Sequence, residues 1–386
     1  MHKEIKICDL HRINQPFEQD ILNSINKVIA QGRFIGGPFV HEFENALSTN
    51  IGVDFAVGVG NGLDALKLSL ISLITAGFLN KGNKILVSAN TYIASVLSII
   101  HAGLIPVPVD VDPKTMTVTG DTIRQALEYN NDIKGIMLVH LYGRAAWDND
   151  IKQIINERQL IVIEDNAQAI GAISEETGLF SSSKQTGALG HIAAFSFYPT
   201  KNIGAIGDAG AVTTSIPELA SIVRALGNYG SLKRFNNVYL GFNSRLDPVQ
   251  AVVLIHKYKF IDKINSLRRR NASILEHRIT SNYITKPFFR LNDASMVWHQ
   301  YVVTLKQNIE REHFRNYLNK NGIETDIHYP LTPFEQPCMI NMYAYPINDT
   351  IAYHLSRHIV SIPVNQTLDC QDMEYIAQVI NNYTPI

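Results

Sequence analysis

The chain has 386 residues, of which 46% are hydrophobic and 18% are charged, and its formal net charge is −1. This length allows two or three domains with their own cores, and the near-neutral charge argues against binding of nucleic acid or of an anionic membrane surface. The apolar window 92–109 contains His101, Gly103 and two prolines, so it predicts a buried helix and strand rather than a membrane span. Because Cys8, Cys338 and Cys370 share no metal-ligand or disulfide spacing, we expect no metal site and a soluble protein in the reducing cytoplasm.

Short apolar runs alternate with helical patterns from residue 50 to residue 215. The predicted strands are 55–60, 84–89, 105–110, 134–143, 159–167, 192–198 and 210–215. Most of them are continuously apolar, which is typical of strands buried on both faces of a sheet. The alternation with helices predicts an α/β fold with a mainly parallel sheet, whose ligands bind at the carboxyl ends of the strands.

The pattern changes after residue 250. One long helical stretch covers 247–279, and a smaller α+β region follows with a strand in 299–305 and helices in 311–322 and 372–383. We predict a large domain over 1–250 and a small domain over 251–386, with residues 1 to about 30 packing on the small domain. The basic run 268–270 is expected to lie on a solvated helix face.

The stretch GVGNGLDA (58–65) begins like a dinucleotide-binding fingerprint. Its third glycine would fall at position 63, where the chain has Leu63, so a nicotinamide site is disfavoured. What remains is a strand, a turn and a helix N-terminus, which can bind one phosphate through free backbone amides. A plain turn capped by Asn61 is the equal alternative.

Two charged residues follow later strands at the same edge of the predicted sheet. Asp165 lies at the carboxyl end of the apolar strand in 159–167, where it can pair with a ligand or cap a helix. Lys201 lies between the strand 192–198 and a glycine-rich loop. Burial lowers the pKa of a lysine, whose neutral amine can then form a Schiff base; a surface lysine in a flexible loop is the alternative. The phosphate seat, the aspartate and the lysine together match the phosphate, pyridine nitrogen and aldehyde of pyridoxal 5′-phosphate (PLP).

Eight segments in order resemble the DegT/DnrJ/EryC1/StrS family of sugar aminotransferases, and they span nearly the whole chain. They are GRFIGGPFVHEFE (32–44), VGNGLDAL (59–66), SANTYIAS (88–95), VHLYGRAA (139–146), IEDNAQAIGA (163–172), FSFYPTKNIGAIGDAGAV (195–212), GFNSRLDPVQA (241–251) and GIETDIHYP (322–330). The resemblance implies the PLP-dependent transferase fold of type I, like that of aspartate aminotransferase. The sugar dehydratase branch of the family has a histidine at the position of Lys201. The lysine in this chain therefore implies amino transfer rather than elimination.

The resemblance also implies the roles of individual residues around the cofactor ring. Lys201 would carry the cofactor as a Schiff base, and Asp165 would pair with the pyridine nitrogen and keep it protonated. Gln168 would bind the phenolic oxygen, and Tyr92 would stack on the ring.

The phosphate contacts are implied in the same way. They would come from the amides of Gly62 and Leu63, the hydroxyl of Ser196, and Asn243 of a neighbouring subunit, which implies a homodimer with shared active sites. Family members often have threonine at position 63, histidine at 170 and glycine at 209, so this chain loses one hydroxyl contact to the phosphate at Leu63.

For the substrate, the resemblance is greatest to the branch that acts at carbon 3. It implies conversion of a dTDP-linked 3-keto-6-deoxyhexose to the 3-amino-3,6-dideoxyhexose for lipopolysaccharide O-antigen, S-layer glycan or antibiotic sugars, with L-glutamate as amino donor. Substrate contacts would be Tyr229, Lys233 and His328, and a packed loop histidine is the alternative for the last. The alternative functions are a 4-keto-6-deoxyhexose 4-aminotransferase, a non-catalytic PLP-binding regulatory protein and a nicotinamide-dependent sugar enzyme.

Overall fold

The computed structural model describes residues 4–290, 292–340 and 348–385. Its main element is a seven-stranded sheet with the strand order β1-β7-β6-β5-β4-β2-β3. The strands are β1 (Phe55–Val59), β2 (Lys84–Ser88), β3 (Ile105–Val109), β4 (Ile133–Val139), β5 (Ile161–Asp165), β6 (Ile192–Ser196) and β7 (Gly210–Thr214).

Strands β2 to β6 run parallel, and β7 lies antiparallel between β1 and β6. The predicted mainly parallel sheet of the α/β class is therefore confirmed. The strand predicted over 134–143 ends earlier, at Val139, because a 3₁₀ turn, Leu141–Gly143, follows with Tyr142 at a φ of 58°. Leu141 of this turn lines the cavity described below.

Helices connect and cover the strands. They are α1 (Leu10–Asn14), α2 (Glu18–Gln31), α3 (Pro38–Ile51), α4 (Gly62–Thr75), α5 (Ile93–His101), α6 (Gly120–Tyr129), α7 (Asn149–Arg158), α8 (Pro217–Gly227), α9 (Pro248–Tyr258), α10 (Ile261–Arg278), α11 (Arg311–Lys320), α12 (Pro337–Ile340), α13 (Ile351–His358) and α14 (Cys370–Asn381). The prediction of a single helical stretch over 247–279 is wrong in one respect, because the structure has two helices there. They are separated by Lys259 and Phe260.

A second, antiparallel sheet forms in the C-terminal part of the chain. It has the order β10-β11-β12, with β10 (Ile284–Thr285), β11 (Tyr301–Leu305) and β12 (Ile359–Ile362); a separate ribbon joins β8 (Ser231–Lys233) and β9 (Asn236–Asn237). The first described residues lie against this part, since the amide of Ile5 donates to Gly322 and Ile5 accepts from Glu324. The division at residue 250 stays a prediction.

The basic run 268–270 is not the solvated face that the sequence predicts. Arg269 and Arg270 are partly or fully exposed, but Arg268 is 2% exposed. Its guanidinium donates to the carbonyls of Trp298 and His299 and to the side chain of Gln366. A three-residue charge run spans most of a helical turn, so one member points inward and here ties α10 to the segment before β11.

Among the residues that the structure describes, a helix with both the length and the hydrophobicity of a membrane span is not found.

Candidate active site

A cavity of about 500 Å³ opens at the edge where β4, β5 and β6 end. Residues that follow β1 and β2 complete its walls, and a segment from each side of β11 closes it. Eight of the predicted site residues line the cavity: Gly62, Leu63, Tyr92, Asp165, Gln168, Ser196, Lys201 and His328. Three others, Tyr229, Lys233 and Asn243, are not part of the lining.

One end of the cavity is formed by the start of α4. Asn61 caps this helix, because its side chain accepts the amide of Asp64 at 2.8 Å. Gly62 lies so close to Ser196 that a Cβ added to it would be 2.7 Å from the Cβ of Ser196. The first amides of a helix have no acceptor within the helix, so this end combines free N–H groups with a hydroxyl and suits an anion.

Asp165 lies at the carboxyl end of β5 and is 6% exposed. One of its oxygens accepts the hydroxyl of Ser95 at 2.7 Å, and the other accepts the amide of Ala167 at 3.2 Å. A buried carboxylate is costly unless donors surround it, and these two donors hold the group in a fixed orientation on the cavity wall.

Lys201 follows β6 in a turn in which its amide donates to the carbonyl of Tyr198 at 2.9 Å. Burial lowers the pKa of its amine to about 8, and the charge of Asp165 opposes the shift. The amine is therefore neutral in a far larger fraction of molecules at pH 7 to 8 than that of an exposed lysine, and a neutral amine is a nucleophile.

Gln168 is held by partners on both sides of its amide group. Its oxygen accepts the backbone N–H of Tyr142 at 2.6 Å, and its nitrogen donates to the hydroxyl of Tyr329 at 3.0 Å. The ring of Tyr329 lies 5.3 Å from that of Tyr92, tilted by 38°. One N–H of Gln168 remains for a ligand, and the two tyrosines form an aromatic wall, of which the sequence analysis found only Tyr92.

His299 is a second residue that the sequence analysis missed. Asn202 donates through its nitrogen to Asn265 and to the carbonyl of Val297, which leaves its oxygen to accept from Nδ1 of His299 at 3.2 Å. Nε2 of His299 is thus an acceptor on a cavity-lining residue. Burial and the charges of Lys201 and Arg268 hold the pKa of this histidine well below its usual value.

His328 combines the two interpretations that the sequence left open. Nδ1 lies 2.7 Å from the hydroxyl of Ser361, so the ring is packed, and the residue also lines the cavity. Burial lowers its pKa, and Asp326, 3.6 Å from Nε2, opposes that shift.

Tyr229, Lys233 and Asn243 are exposed in and around the β8–β9 ribbon. Asn243 pairs through its backbone with Asn228, and the next residue, Ser244, accepts the amide of Gly60 at 3.0 Å. Asn243 is therefore close to the backbone segment from Gly60 to Gly62 that leads into α4, but it does not line this cavity.

No group of three His, Cys, Asp or Glu side chains in the part of the chain that the structure describes is arranged to hold a metal ion.

Known proteins resemble this chain over nearly its whole length. The profile of the DegT/DnrJ/EryC1/StrS aminotransferase family matches residues 16–381. The dTDP-3-amino-3,6-dideoxy-alpha-D-galactopyranose transaminase of Aneurinibacillus thermoaerophilus is 38% identical over 98% of this chain and 99% of its own. The erythromycin biosynthesis sensory transduction protein EryC1 of Saccharopolyspora erythraea is 31% identical over 97% of this chain and 98% of its own.

Among solved structures, the crystal structure of Streptomyces venezuelae DesV in complex with a ketimine intermediate is similar over 98% of both chains. Its TM-score is 0.89 and its sequence identity 31%. The profile match and the full-length relatives lead to one conclusion: this chain belongs to the DegT/DnrJ/EryC1/StrS aminotransferase family.

Proposed function

We propose that this aminotransferase uses PLP to convert a dTDP-linked 3-keto-6-deoxyhexose to the 3-amino-3,6-dideoxyhexose, with L-glutamate as the amino donor. The observation that carries the proposal is the lysine of lowered pKa, Lys201, on the same cavity wall as the buried carboxylate of Asp165. An amine of this kind serves a reaction at a carbonyl carbon.

The residues of the cavity fit PLP group by group. The start of α4, where Gly62 packs against Ser196, would bind the phosphate through free backbone amides and the hydroxyl of Ser196. Asp165 supplies a carboxylate for a ring nitrogen, and Lys201 supplies the amine for an aldehyde. A volume of about 500 Å³ leaves room for a sugar beside a bound cofactor.

When bound, PLP supplies an aldehyde that takes up an amine and a protonated ring that withdraws electrons from the neighbouring carbon. Asp165, fixed by Ser95 and Ala167, would hold the proton on the ring nitrogen. Nζ of Lys201 would be the base that moves a proton to and from the substrate carbon, since burial favours its neutral form. Gln168 would orient the phenolic oxygen through its remaining N–H.

The substrate class is proposed from the relatives and from the cavity wall. The relative from Aneurinibacillus thermoaerophilus is named for a dTDP-linked 3-amino-3,6-dideoxyhexose. Near Lys201, Nε2 of His299 offers an acceptor to a sugar hydroxyl, and the rings of Tyr92 and Tyr329 offer an apolar surface. A 4-keto-6-deoxyhexose is the alternative acceptor that the assay below distinguishes.

A homodimer is part of the proposal because large apolar side chains are exposed in the segment 229–243, which contains three of the predicted residues. Phe235 is 88% exposed and Leu240 is 97% exposed. Large apolar side chains exposed to this degree favour contact with another protein surface. Asn243 lies in the same exposed segment, and its proposed role, which comes from the family resemblance, is to contact the cofactor phosphate of a second copy.

The first experiment tests the covalent role of Lys201. Reduction of the native protein–PLP complex with borohydride, followed by peptide mass spectrometry, should place the label on Lys201. Lys257 is an internal control, because burial also lowers its pKa to about 8 but its amine donates to the carbonyl of Gly204. A label on Lys257, or none at all, refutes the assignment.

Lys201→Ala should lose transamination and still bind pyridoxamine phosphate. If the protein instead binds PLP without catalysis, the yellow colour of the PLP-bound parent protein should not disappear when L-glutamate is added.

The second experiment tests the sugar. dTDP-3-keto-6-deoxyglucose, its galactose epimer and a 4-keto isomer are incubated with the enzyme and L-glutamate, and the products are identified by mass spectrometry and NMR. Amination of only the 4-keto isomer overturns the carbon-3 proposal and leaves the aminotransferase assignment intact.

A further inference from the structure

We propose that Ser95 and Thr91 are positioning residues that act on the cofactor's ring nitrogen through Asp165. The inference rests on the proposed function and adds a role for two hydroxyl groups that touch neither cofactor ring nor substrate carbon in that proposal. It is carried by a chain of hydrogen bonds that runs from Thr91, just before α5, through Ser95 to Asp165 at the end of β5.

The chain of hydrogen bonds has two links of equal length. The hydroxyl of Ser95 lies 2.7 Å from one oxygen of Asp165, and Oγ1 of Thr91 lies 2.7 Å from Oγ of Ser95. Ser95 lies in the first turn of α5, and Thr91 lies two residues before the helix begins at Ile93. The start of α5 therefore lies close to the end of β5, and its hydroxyl groups reach Asp165 in sequence.

The direction of each bond follows from the number of protons available. A carboxylate only accepts, so the single proton of Ser95 is committed to Asp165. Oγ of Ser95 is then left as an acceptor, and Thr91 must donate to it. Each donor polarises the next, so the bond that reaches Asp165 is strengthened by the one behind it.

Burial makes this arrangement effective. Ser95 is 0% exposed and Thr91 is 2% exposed, so water does not compete for these bonds. The hydroxyl of Ser95 and the amide of Ala167 each occupy one oxygen of Asp165 and fix the plane of the carboxylate. A carboxylate held in this way keeps its direction toward a protonated ring nitrogen.

The chain offers a matched control one turn further along α5. Ser98 is also 0% exposed, and its hydroxyl donates to the backbone carbonyl of Ser95 at 2.8 Å. Ser98→Ala removes one buried hydroxyl from the same helix without touching Asp165. Loss of packing or of a helix bond alone would therefore appear equally in Ser95→Ala and Ser98→Ala.

The experiment measures dissociation constants of the cofactor-free proteins for two compounds: PLP and the analogue in which CH replaces the ring nitrogen. We expect Ser95→Ala to weaken PLP binding about tenfold, the effect of one hydrogen bond to a charged group. Binding of the analogue should be unchanged, because it has no nitrogen for Asp165 to hold. Thr91→Val should show the same selectivity at about threefold, and Ser98→Ala should show none.

Each outcome separates this inference from the proposed function. If the parent protein binds neither compound, the PLP assignment itself fails. If the parent binds PLP and Ser95→Ala weakens both compounds equally, or neither, the positioning role is refuted while the assignment stands. Should Ser95→Ala not fold, Thr91→Val decides by the same comparison.

Discussion

Glu164 is buried next to Asp165 in β5, and Glu164→Gln is the substitution whose effect the structure defines most closely. The carboxylate is 1% exposed and four N–H groups converge on it. One oxygen accepts from the amides of Leu189 and Gly190 at 2.8 and 2.9 Å. The other accepts from the amide of Gly187 at 2.7 Å and meets Nε2 of His140 at 3.0 Å. This residue thus ties β5 to the loop that leads into β6.

The expected loss follows from this pairing of donors. Nδ1 of His140 accepts the amide of Ala146 at 3.0 Å, so the ring proton lies on Nε2 and is donated to Glu164. A glutamine amide has one acceptor and one donor, and either orientation turns its NH₂ toward two other donors. Two bonds to a charged acceptor are lost, at about 1.5–3 kcal/mol each, so we expect a loss of about 3–6 kcal/mol in the free energy of unfolding.

The assay is guanidinium unfolding of the cofactor-free protein, followed by the fluorescence of its two buried tryptophans, Trp147 and Trp298. Glu157→Gln is the control, because Glu157 is exposed and the same substitution there should change the free energy by less than about 0.5 kcal/mol. A Glu164→Gln protein within about 1 kcal/mol of the parent would refute the view that all four donors depend on the charged carboxylate.

Three further outcomes are expected. The rate at which the cofactor-free protein forms a covalent bond with PLP should rise tenfold per pH unit below pH 8 and level off above it, because the pKa of Lys201 is lowered to about 8; a rise continuing to pH 10 contradicts this. Mixing inactive Lys201→Ala subunits with Asn243→Asp subunits should restore about one quarter of the parent activity if Asn243 acts across the dimer, since half of the randomly formed dimers hold one complete site; no recovery after confirmed exchange places Asn243 in its own subunit's site. Gly62→Ala should destabilise the protein by about 1–3 kcal/mol by overpacking, and adding Ser196→Gly should recover most of the loss in thermal denaturation.

The parts of the site that the sequence predicted share one physical property. Asp165, Ser196 and Gly62 each lie where an apolar strand ends or where the helix after it begins, and a parallel sheet brings such ends to one edge. The local sequence pattern was therefore sufficient to predict where these residues lie in the fold. Lys201 belongs with them, because the turn after β6 is short and leaves it at the same edge.

The parts that the sequence missed depend on contacts between distant segments. Tyr329 reaches Gln168 across 161 positions, and His299 reaches Asn202 across 97. The local periodicity of a sequence contains no information about contacts between segments so far apart in the chain. Ser95 is different: its spacing of four from Thr91 was visible, but a buried helix rich in serine gives no sign of which hydroxyl faces a carboxylate. The exposed ribbon poses the same difficulty, because the partner proposed for it is a second copy of the chain.

The comparison of Lys201 with Lys257 shows what distinguishes a reactive lysine from a buried one. Burial lowers the pKa of both to about 8, so the pKa alone would assign the same chemistry to each. Lys257, on α9, is 2% exposed, and its amine donates a hydrogen bond to the carbonyl of Gly204. This bond fixes the amine inside the protein. Among the described residues no hydrogen bond holds the amine of Lys201, and Lys201 lines the same cavity as Asp165, whose charge acts on the amine. The reactivity proposed for Lys201 requires a lowered pKa together with open space in front of the nitrogen, and of these two lysines Lys201, in the turn after β6, combines both.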